Sequence, residues 1–466
     1  MIFTEFRFVA FFLLVFCVHW GLRSNRARKV WLLVCSYAFY ACWDCRFLSL
    51  LVFSTGLDYL VGLKLAATDD PKARLRWLRV SLAGNLGMLG VFKYFNFFAR
   101  EGVELANWLG FQVSPLMFEI GLPVGISFYT FQTLSYSIDI YRNKFAPTRD
   151  ILDLGLFVAF FPQLVAGPIV RARDFLPQLL KRRELGWVDI RGCLILFLIG
   201  FFKKAVVSDG IAHFVDQYFS RYADYDVGSA WLGVGLWAAQ VYCDFSGYSD
   251  MAIATAGLLG YNLALNFNFP YFSPSISAFW TRWHVSLGYW IRDYVFYSMG
   301  AWSDSKLRGW FNLLITWSLA GFWHGADWKY LAFGFLIGPA LIVQMQWRLT
   351  GLRRKFPMPP LVGNLLTMWW ISISLVMYRA EDLGSSWEIL SSLLTFRSIG
   401  DGVLGDRLAW LLAVLTLVHW INYKGWLTGW WRRPGPLTFT TGFAVAFGIV
   451  LTLMTATAEP FIYFQF

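Results

Sequence analysis

The sequence predicts an all-α polytopic membrane protein, and three observations carry that prediction. Hydrophobic side chains make up 57% of the 466 residues, charged ones only 15% and aromatic ones 20%. Mean hydropathy is +0.50. Apolar stretches long enough to cross a hydrocarbon core recur from residue 6 to residue 457, parted by short polar interludes around 68–79, 171–191, 208–228 and 379–408. A core about 30 Å thick takes about 20 apolar residues per helix, which gives about ten to thirteen spanning or re-entrant helices. No interlude would hold a soluble domain, so residues 1–466 read as a single integral-membrane domain.

The first apolar run, Phe6 to Trp20, has no basic stretch before it and no small-residue cleavage site after it, and so reads as an uncleaved membrane segment. Arg23, Arg26, Arg28 and Lys29 follow it, which places that loop in the cytoplasm and the N-terminus outside. Two further runs, roughly 30–43 and 47–66, return the chain to the same side at Lys72, Arg74, Arg76 and Arg79. One more crossing reaches the acidic loop at Glu101 and Glu104, as suits an outer face. The stretch 151–170 breaks this alternation. Arg142 and Lys144 precede it, and Arg171, Arg173, Lys181, Arg182 and Arg183 follow, so both flanks read as cytoplasmic. Its core FFPQLVAGPIV (160–170) carries Pro162, Gly167 and Pro168, which interrupt a helix. A re-entrant segment and a proline-kinked crossing helix both fit.

Several function classes fall away on charge and motif. The formal charge of +11 is concentrated in short basic loops, a membrane-topology pattern and not a nucleic-acid-binding one. Such loops attract anionic lipid heads, and would help an acidic cytoplasmic donor approach. Cys42 and Cys45 form the one C-x-x-C, on the predicted outer face where a disulfide is permitted. Neither the six cysteines nor the five histidines repeat at zinc-ligand spacing. There is no phosphate-binding loop or convincing dinucleotide fingerprint, which argues against ATP-driven transport by this chain alone. No internal repeat marks a transporter built from inverted halves. The 25 Trp, 21 Tyr and 45 Phe exceed what interfacial belts need, so many must line the interior.

The chemistry concentrates between residues 240 and 330. QVYCDFSGYSDMA (240–252) sets Asp244, Ser246, Tyr248, Ser249 and Asp250 in apolar surroundings. Carboxylates there need a polar cavity, a basic partner or a helix N-terminus, or else belong to a structural network between helices. Next, NFNFPYFSPSISAFWTRWHVSLGYWIRDYVF (266–296) opens on Pro270 and Pro274 and turns amphipathic, reading as an interfacial or re-entrant helix. Arg282, His284, Arg292 and Asp293 supply its charge; Phe279, Trp280, Trp283, Trp290 and Ile291 supply its apolar face. His284 then sits at the mouth of a polar channel, or snorkels to water as an interface imidazole. His324 ends FNLLITWSLAGFWHG, after thirteen residues from Phe311 to Trp323 without an ionisable side chain. A histidine so placed is a functional-site hypothesis, the alternative being a neutral ring donating to a backbone carbonyl. Asp327, three residues on, would orient the imidazole if the helix persists that far. Two such histidines suit metal-free acyl transfer, in which an imidazole takes the proton of an acceptor hydroxyl as it attacks a thioester. No G-x-S-x-G nucleophile elbow is present.

GLPVGISFYTFQTLSYSIDIYR (121–142), FFPQLVAGPIVRARDFLPQL (160–179), YCDFSGYSDMAI (242–253), FWTRWHVSL (279–287), IRDYVF (291–296), GFWHGADW (321–328) and the terminal FIYFQF (461–466) together resemble the membrane-bound O-acyltransferase family. The likeness is to its bacterial branch of alginate O-acetyltransferases and D-alanyl transfer proteins. It implies a helical bundle with re-entrant helices around a central funnel, in a bacterial inner membrane. It also implies catalytic roles for His324 and His284. The remaining funnel-lining or substrate candidates are Asp244, Ser246, Tyr248, Asp250, Arg282, Trp283, Arg292, Asp293, Asn312 and Trp323. The family binds no metal and no resident cofactor, takes acetyl-CoA or another acyl thioester as donor substrate on the cytoplasmic side, and passes the acyl group outward. A secreted or membrane-anchored acetyltransferase partner commonly completes transfer to a polysaccharide acceptor. The sequence departs from the pattern at Gly288 and Tyr289, in SMGAWSDSK (298–306), at Phe311 before Asn312, and at Ile337. These departures touch contacts to donor or partner more than the reaction class. The rival from another class is an exporter component for a lipid-linked or polysaccharide intermediate.

Overall fold

The structure is a computed structural model, and it describes residues 1–114, 120–165, 167–302, 305–455 and 459–462. Among these residues the chain is helical, with no strand beyond one isolated bridge between Tyr225 and Gly402. Four segments are long and apolar enough to cross a membrane: Asn25–Ala66, Trp328–Leu349, Pro360–Arg379 and Pro436–Leu453. The first is two helices. Asp44 adopts extended backbone (φ −156°, ψ 113°), and its carboxylate accepts from the Arg46 amide at 2.9 Å to start a new turn. Asn25–Asp44 and Leu48–Ala66 are therefore separate runs, as the sequence predicts. Cys42 and Cys45 flank that break with exposed, free thiols.

Among the described residues, fewer continuous helices of that length and apolarity are present than the ten to thirteen spanning or re-entrant helices expected. Several of the apolar stretches carry π turns, at Gly90–Tyr94, Phe202–Ser208 and Arg292–Phe296. Such turns open the hydrogen-bond ladder and recur at functional sites.

The chain divides into two compact units, Met1–Ile190 with Thr255–Ala264, and Arg191–Ala254 with Leu265–Phe466. In the first, helices Leu48–Ala66, Pro71–Leu89 and Ile126–Tyr141 share a buried polar centre. The Asp58 carboxylate accepts from Ser81 Oγ at 2.5 Å, from Asn85 Nδ2 at 2.6 Å and from Ser137 Oγ. A buried carboxylate is tolerated when its lone pairs are filled in this way. The 151–170 stretch is broken, not merely kinked. Helix Ile151–Ala159 stops, Phe160 turns away at ψ 106°, and a single turn Phe161–Leu164 restarts with Pro162 in the position a helix start tolerates. The freed Phe161 amide donates to Ser36 Oγ at 3.1 Å, so irregular backbone is satisfied inside the protein. Ala166 lies outside the described residues.

In the second unit, helices Lys306–His324 and Trp328–Leu349 pack against each other with almost no space at the crossing. A Cβ on Gly321 would lie 2.1 Å from the Tyr330 carbonyl oxygen, and one on Gly334 would lie 2.1 Å from that of Trp317. Only glycine permits this approach, and small residues at helix contacts are how membrane helices pack closely. The 266–296 stretch corrects its sequence reading. It is not one amphipathic helix but a turn Pro270–Phe272, helices Ile276–Trp280 and Val285–Ile291, and the π turn that follows. The reason is the backbone of His284, described next.

Candidate active site

His284 occupies the left-handed region (φ 43°, ψ 53°) immediately before helix Val285–Ile291. Such a conformation is uncommon for a residue with a side chain, costs about 1–3 kcal/mol, and persists only where the surroundings impose it. Here Asn266 imposes it. Its carbonyl accepts from the Val285 amide at 3.0 Å, and its Oδ1 meets His284 Nδ1 at 3.0 Å and accepts from Ser286 Oγ at 3.0 Å. Its Nδ2 donates to Ser249 Oγ at 3.1 Å. With Oδ1 as acceptor throughout, the network assigns the proton to His284 Nδ1 and leaves the lone pair on Nε2. Phe245 closes the other side, its ring perpendicular to the imidazole at 4.6 Å. His284 is 2% exposed, so it is an interior residue and not a snorkelling one at a mouth.

His324 is the last residue of its helix. Gly325 leaves in an extended conformation (φ −158°, ψ 151°), and Asp327 caps the following helix by accepting from the Lys329 amide at 3.0 Å. The helix does not persist to Asp327, and that carboxylate does not orient the imidazole. Tyr378 stands there instead. Its hydroxyl lies 3.5 Å from His324 Nδ1, a long hydrogen bond, and its ring meets the imidazole edge-on at 5.5 Å. Trp323 lies beside both histidines, 6.2 Å from the His284 ring and 5.0 Å from that of His324.

The two histidines, forty positions apart in the chain, lie on the wall of one cavity of about 300 Å³. Trp283 and Arg292, both expected, line it too, and Asp293 accepts from Arg292 Nε at 2.7 Å. Other expected residues lie elsewhere. Arg282 is half-buried and off the cavity wall. Asn312 donates from Nδ2 to the carbonyls of Met299 and Ala301, each at 3.0 Å, and so fixes the start of the loop before its own helix. Residues 303 and 304 of that loop lie outside the described residues. Asp244 and Asp250 take the basic-partner alternative: Asp250 pairs with Lys203 and Asp244 with Lys204, each at 2.6 Å. Lys204 also reaches Asp209 at 2.7 Å, at the edge of a separate cavity of about 50 Å³. Ser246 and Tyr248 are buried on the same helix, Tyr248 against Phe461 at 4.5 Å between ring centres. Of FIYFQF, residues 463–466 lie outside the described residues.

Sequence reasoning did not single out Asn266, Phe245, Tyr378 or the Lys203 and Lys204 pair. The lysines carried a readable signal, two charges in the apolar run GFFKKAVV (200–207). Asn266 carried a fainter one, an amide in the aromatic NFNF (266–269).

The family model described as MBOAT, membrane-bound O-acyltransferase family, matches residues 146–377. The chain is 38% identical over 411 residues to the probable alginate O-acetylase AlgI of Azotobacter vinelandii, covering 87% of this chain and 80% of that protein. It is 33% identical over 397 residues to the peptidoglycan O-acetyltransferase of Helicobacter pylori, covering 80% and 74%. It is 29% identical over 231 residues to the teichoic acid D-alanyltransferase of Bacillus subtilis, covering 45% and 56%. With an all-helical membrane fold, two histidines on the wall of one cavity and relatives matched over most of its length, the chain belongs to the membrane-bound O-acyltransferase family of enzymes.

Proposed function

We propose that this chain is a bacterial inner-membrane O-acetyltransferase in which His324 is the general base. The observation that carries the reading is the placement of His324 and His284 on the wall of one cavity. A lone buried histidine is as easily structural; two that share a cavity with Arg292 form equipment for proton transfer and for stabilising charge. In the reaction an acceptor hydroxyl oxygen attacks the thioester carbonyl carbon while the His324 imidazole takes the hydroxyl proton. The C–O bond forms, the C–S bond breaks, and the proton leaves with the sulfur, giving an ester and a free thiol. His284, its Nδ1 proton directed to Asn266, presents Nε2 as a second acceptor. Trp323 packs beside both histidines, Trp283 lines their cavity, and Arg292 with Asp293 shapes the polar side.

Acetyl-CoA or another acyl thioester serves as donor from the cytoplasm, and an exported polysaccharide is the final acceptor towards which the acyl group is passed. The alginate and peptidoglycan acetylases among the relatives support both the acetyl group and the glycan class. A periplasmic or membrane-anchored acetyltransferase completes outward transfer, the N-terminus lies outside, and residues 1–466 act as one acyltransferase domain.

The test is His324→Ala in cells, with base-labile ester on the surface polymer and polymer export measured together. General acid–base catalysis contributes about 10²–10⁴-fold, so ester falls below detection while export continues. Export lost with ester intact would make the chain a transporter component. Silence of both His324→Ala and His284→Ala would leave only a scaffold.

A further inference from the structure

We propose that a small apolar recess behind His324 receives the alkyl end of the acyl group and restricts the enzyme to acetyl-sized donors. This rests on the reading of the chain as a thioester-dependent O-acetyltransferase, and concerns which acyl group the site admits. His324 borders two cavities, the one of about 300 Å³ that it shares with His284 and a second of about 20 Å³. Trp280, Trp283 and Phe333 border both as well, so three aromatic rings and the imidazole form the partition. Behind it stand Val241, Ile371 and Leu375, all buried, with the Tyr378 hydroxyl as the polar group on the His324 side.

The chemistry at the partition has three substituents to place around the reacting carbon besides its oxygen. The departing sulfur carries a large polar donor and the incoming oxygen carries the acceptor chain, and neither enters about 20 Å³. Both need the large cavity. The alkyl substituent alone is small and apolar enough for the recess. About 10–15 Å³ already holds a water, but an apolar wall favours a methyl group over water. A butyryl chain adds two methylenes that Val241, Ile371 and Leu375 leave no room for. One extra or missing methylene in a hydrophobic pocket discriminates by about 10–200-fold.

The experiment presents acetyl-CoA and butyryl-CoA, differently labelled and at equal concentration, to membranes from cells that make the polymer. The butyryl-to-acetyl ratio among base-labile esters is read at matched protein abundance. Wild type gives mostly acetyl ester. Leu375→Ala and Val241→Ala, which enlarge the recess from two different helices, each raise the ratio about tenfold or more. The inference is overturned if wild type esterifies butyryl as readily as acetyl, or if both variants, present at wild-type abundance, keep the wild-type ratio. It also falls if wild-type membranes form no acetyl ester that His324→Ala abolishes. That last outcome sinks the functional reading itself and is distinct from an intact acetyl transfer whose ratio does not move.

Discussion

The two histidines are held by different means, and substitutions separate those means. His284 depends on a backbone conformation that a side-chain-bearing residue rarely adopts, and Asn266 stabilises it through two acceptors, its backbone carbonyl and Oδ1, which together meet Val285, His284 and Ser286. Asparagine enters the left-handed region more readily than most residues. His284→Asn therefore folds to wild-type abundance in the membrane while ester formation drops, which immunoblotting beside ester analysis distinguishes from misfolding. Asn266→Ala does the opposite kind of damage. It leaves buried donors without their acceptor, at a cost of about 1–3 kcal/mol, and lowers the melting temperature of the detergent-solubilised protein along with activity. His324 depends on Tyr378, fifty-four positions along the chain, whose hydroxyl reaches its Nδ1. Tyr378→Phe keeps the ring packing and removes that contact. A neutral hydrogen bond is worth about 0.5–1.5 kcal/mol, so ester formation falls by up to about tenfold with the melting temperature unchanged. An unchanged rate would show that ring packing alone orients His324. The histidines themselves are legible in the sequence because a titratable ring in apolar surroundings is costly. Their orienting groups are not, because proximity in the chain suggested Asp327 whereas tertiary packing supplies Tyr378.

At the scale of helices, what positions His324 is the crossing of Lys306–His324 with Trp328–Leu349. Gly321 is one turn before the histidine, and a methyl group at the facing Gly334 would meet the Trp317 carbonyl oxygen at 2.1 Å. That contact is with backbone and has no rotamer to relax, so the helices must separate. Overpacking of this kind costs about 1–3 kcal/mol. Gly334→Ala is expected to lower the melting temperature in detergent and to reduce ester formation further than the lost stability accounts for, since His324 moves with its helix. Gly442→Ala, where nothing lies within 4 Å of the added carbon, leaves both unchanged and is the control. A fall at Gly334 no larger than at Gly442 would mean the crossing tolerates expansion. The broken stretch at 160–170 was visible in advance because Pro162, Gly167 and Pro168 are local punctuation. The break at His284 was not. Apolar spacing across Phe279, Trp283 and Trp290 mimics one helix, and only the pairing with Asn266 from an earlier segment stops it.

For the chain as a whole, composition and the ordered motifs were enough to read an all-helical membrane acyltransferase. What they left out is how segments remote in sequence share one buried charge. Lys204, 1% exposed at its side chain, lies 2.6 Å from Asp244 and 2.7 Å from Asp209, and donates to the Glu459 carbonyl at 3.0 Å. Asp244 also accepts from the Ile462 amide at 3.0 Å, so one lysine joins the π turn at 202–208, helix Val227–Leu258 and the chain's end. Hydropathy reads these as separate apolar stretches with occasional charges, and cannot say which charges meet. A buried ion pair is not by itself a net stabiliser, because desolvation offsets much of the attraction, but breaking one exposes the full cost of the charge left behind. Lys204→Met strands two carboxylates and is expected to cost about 3–5 kcal/mol, seen as loss of folded protein from the membrane. The triple change Lys204→Met, Asp209→Asn, Asp244→Asn removes the stranded charges and recovers much of that loss, because the remaining amides can still accept and donate hydrogen bonds. Recovery in the triple variant, with the single variant depleted, identifies unpaired charge as the cause. Equal depletion of both would assign the loss to the shape and reach of the lysine side chain, which methionine does not reproduce at the Glu459 carbonyl.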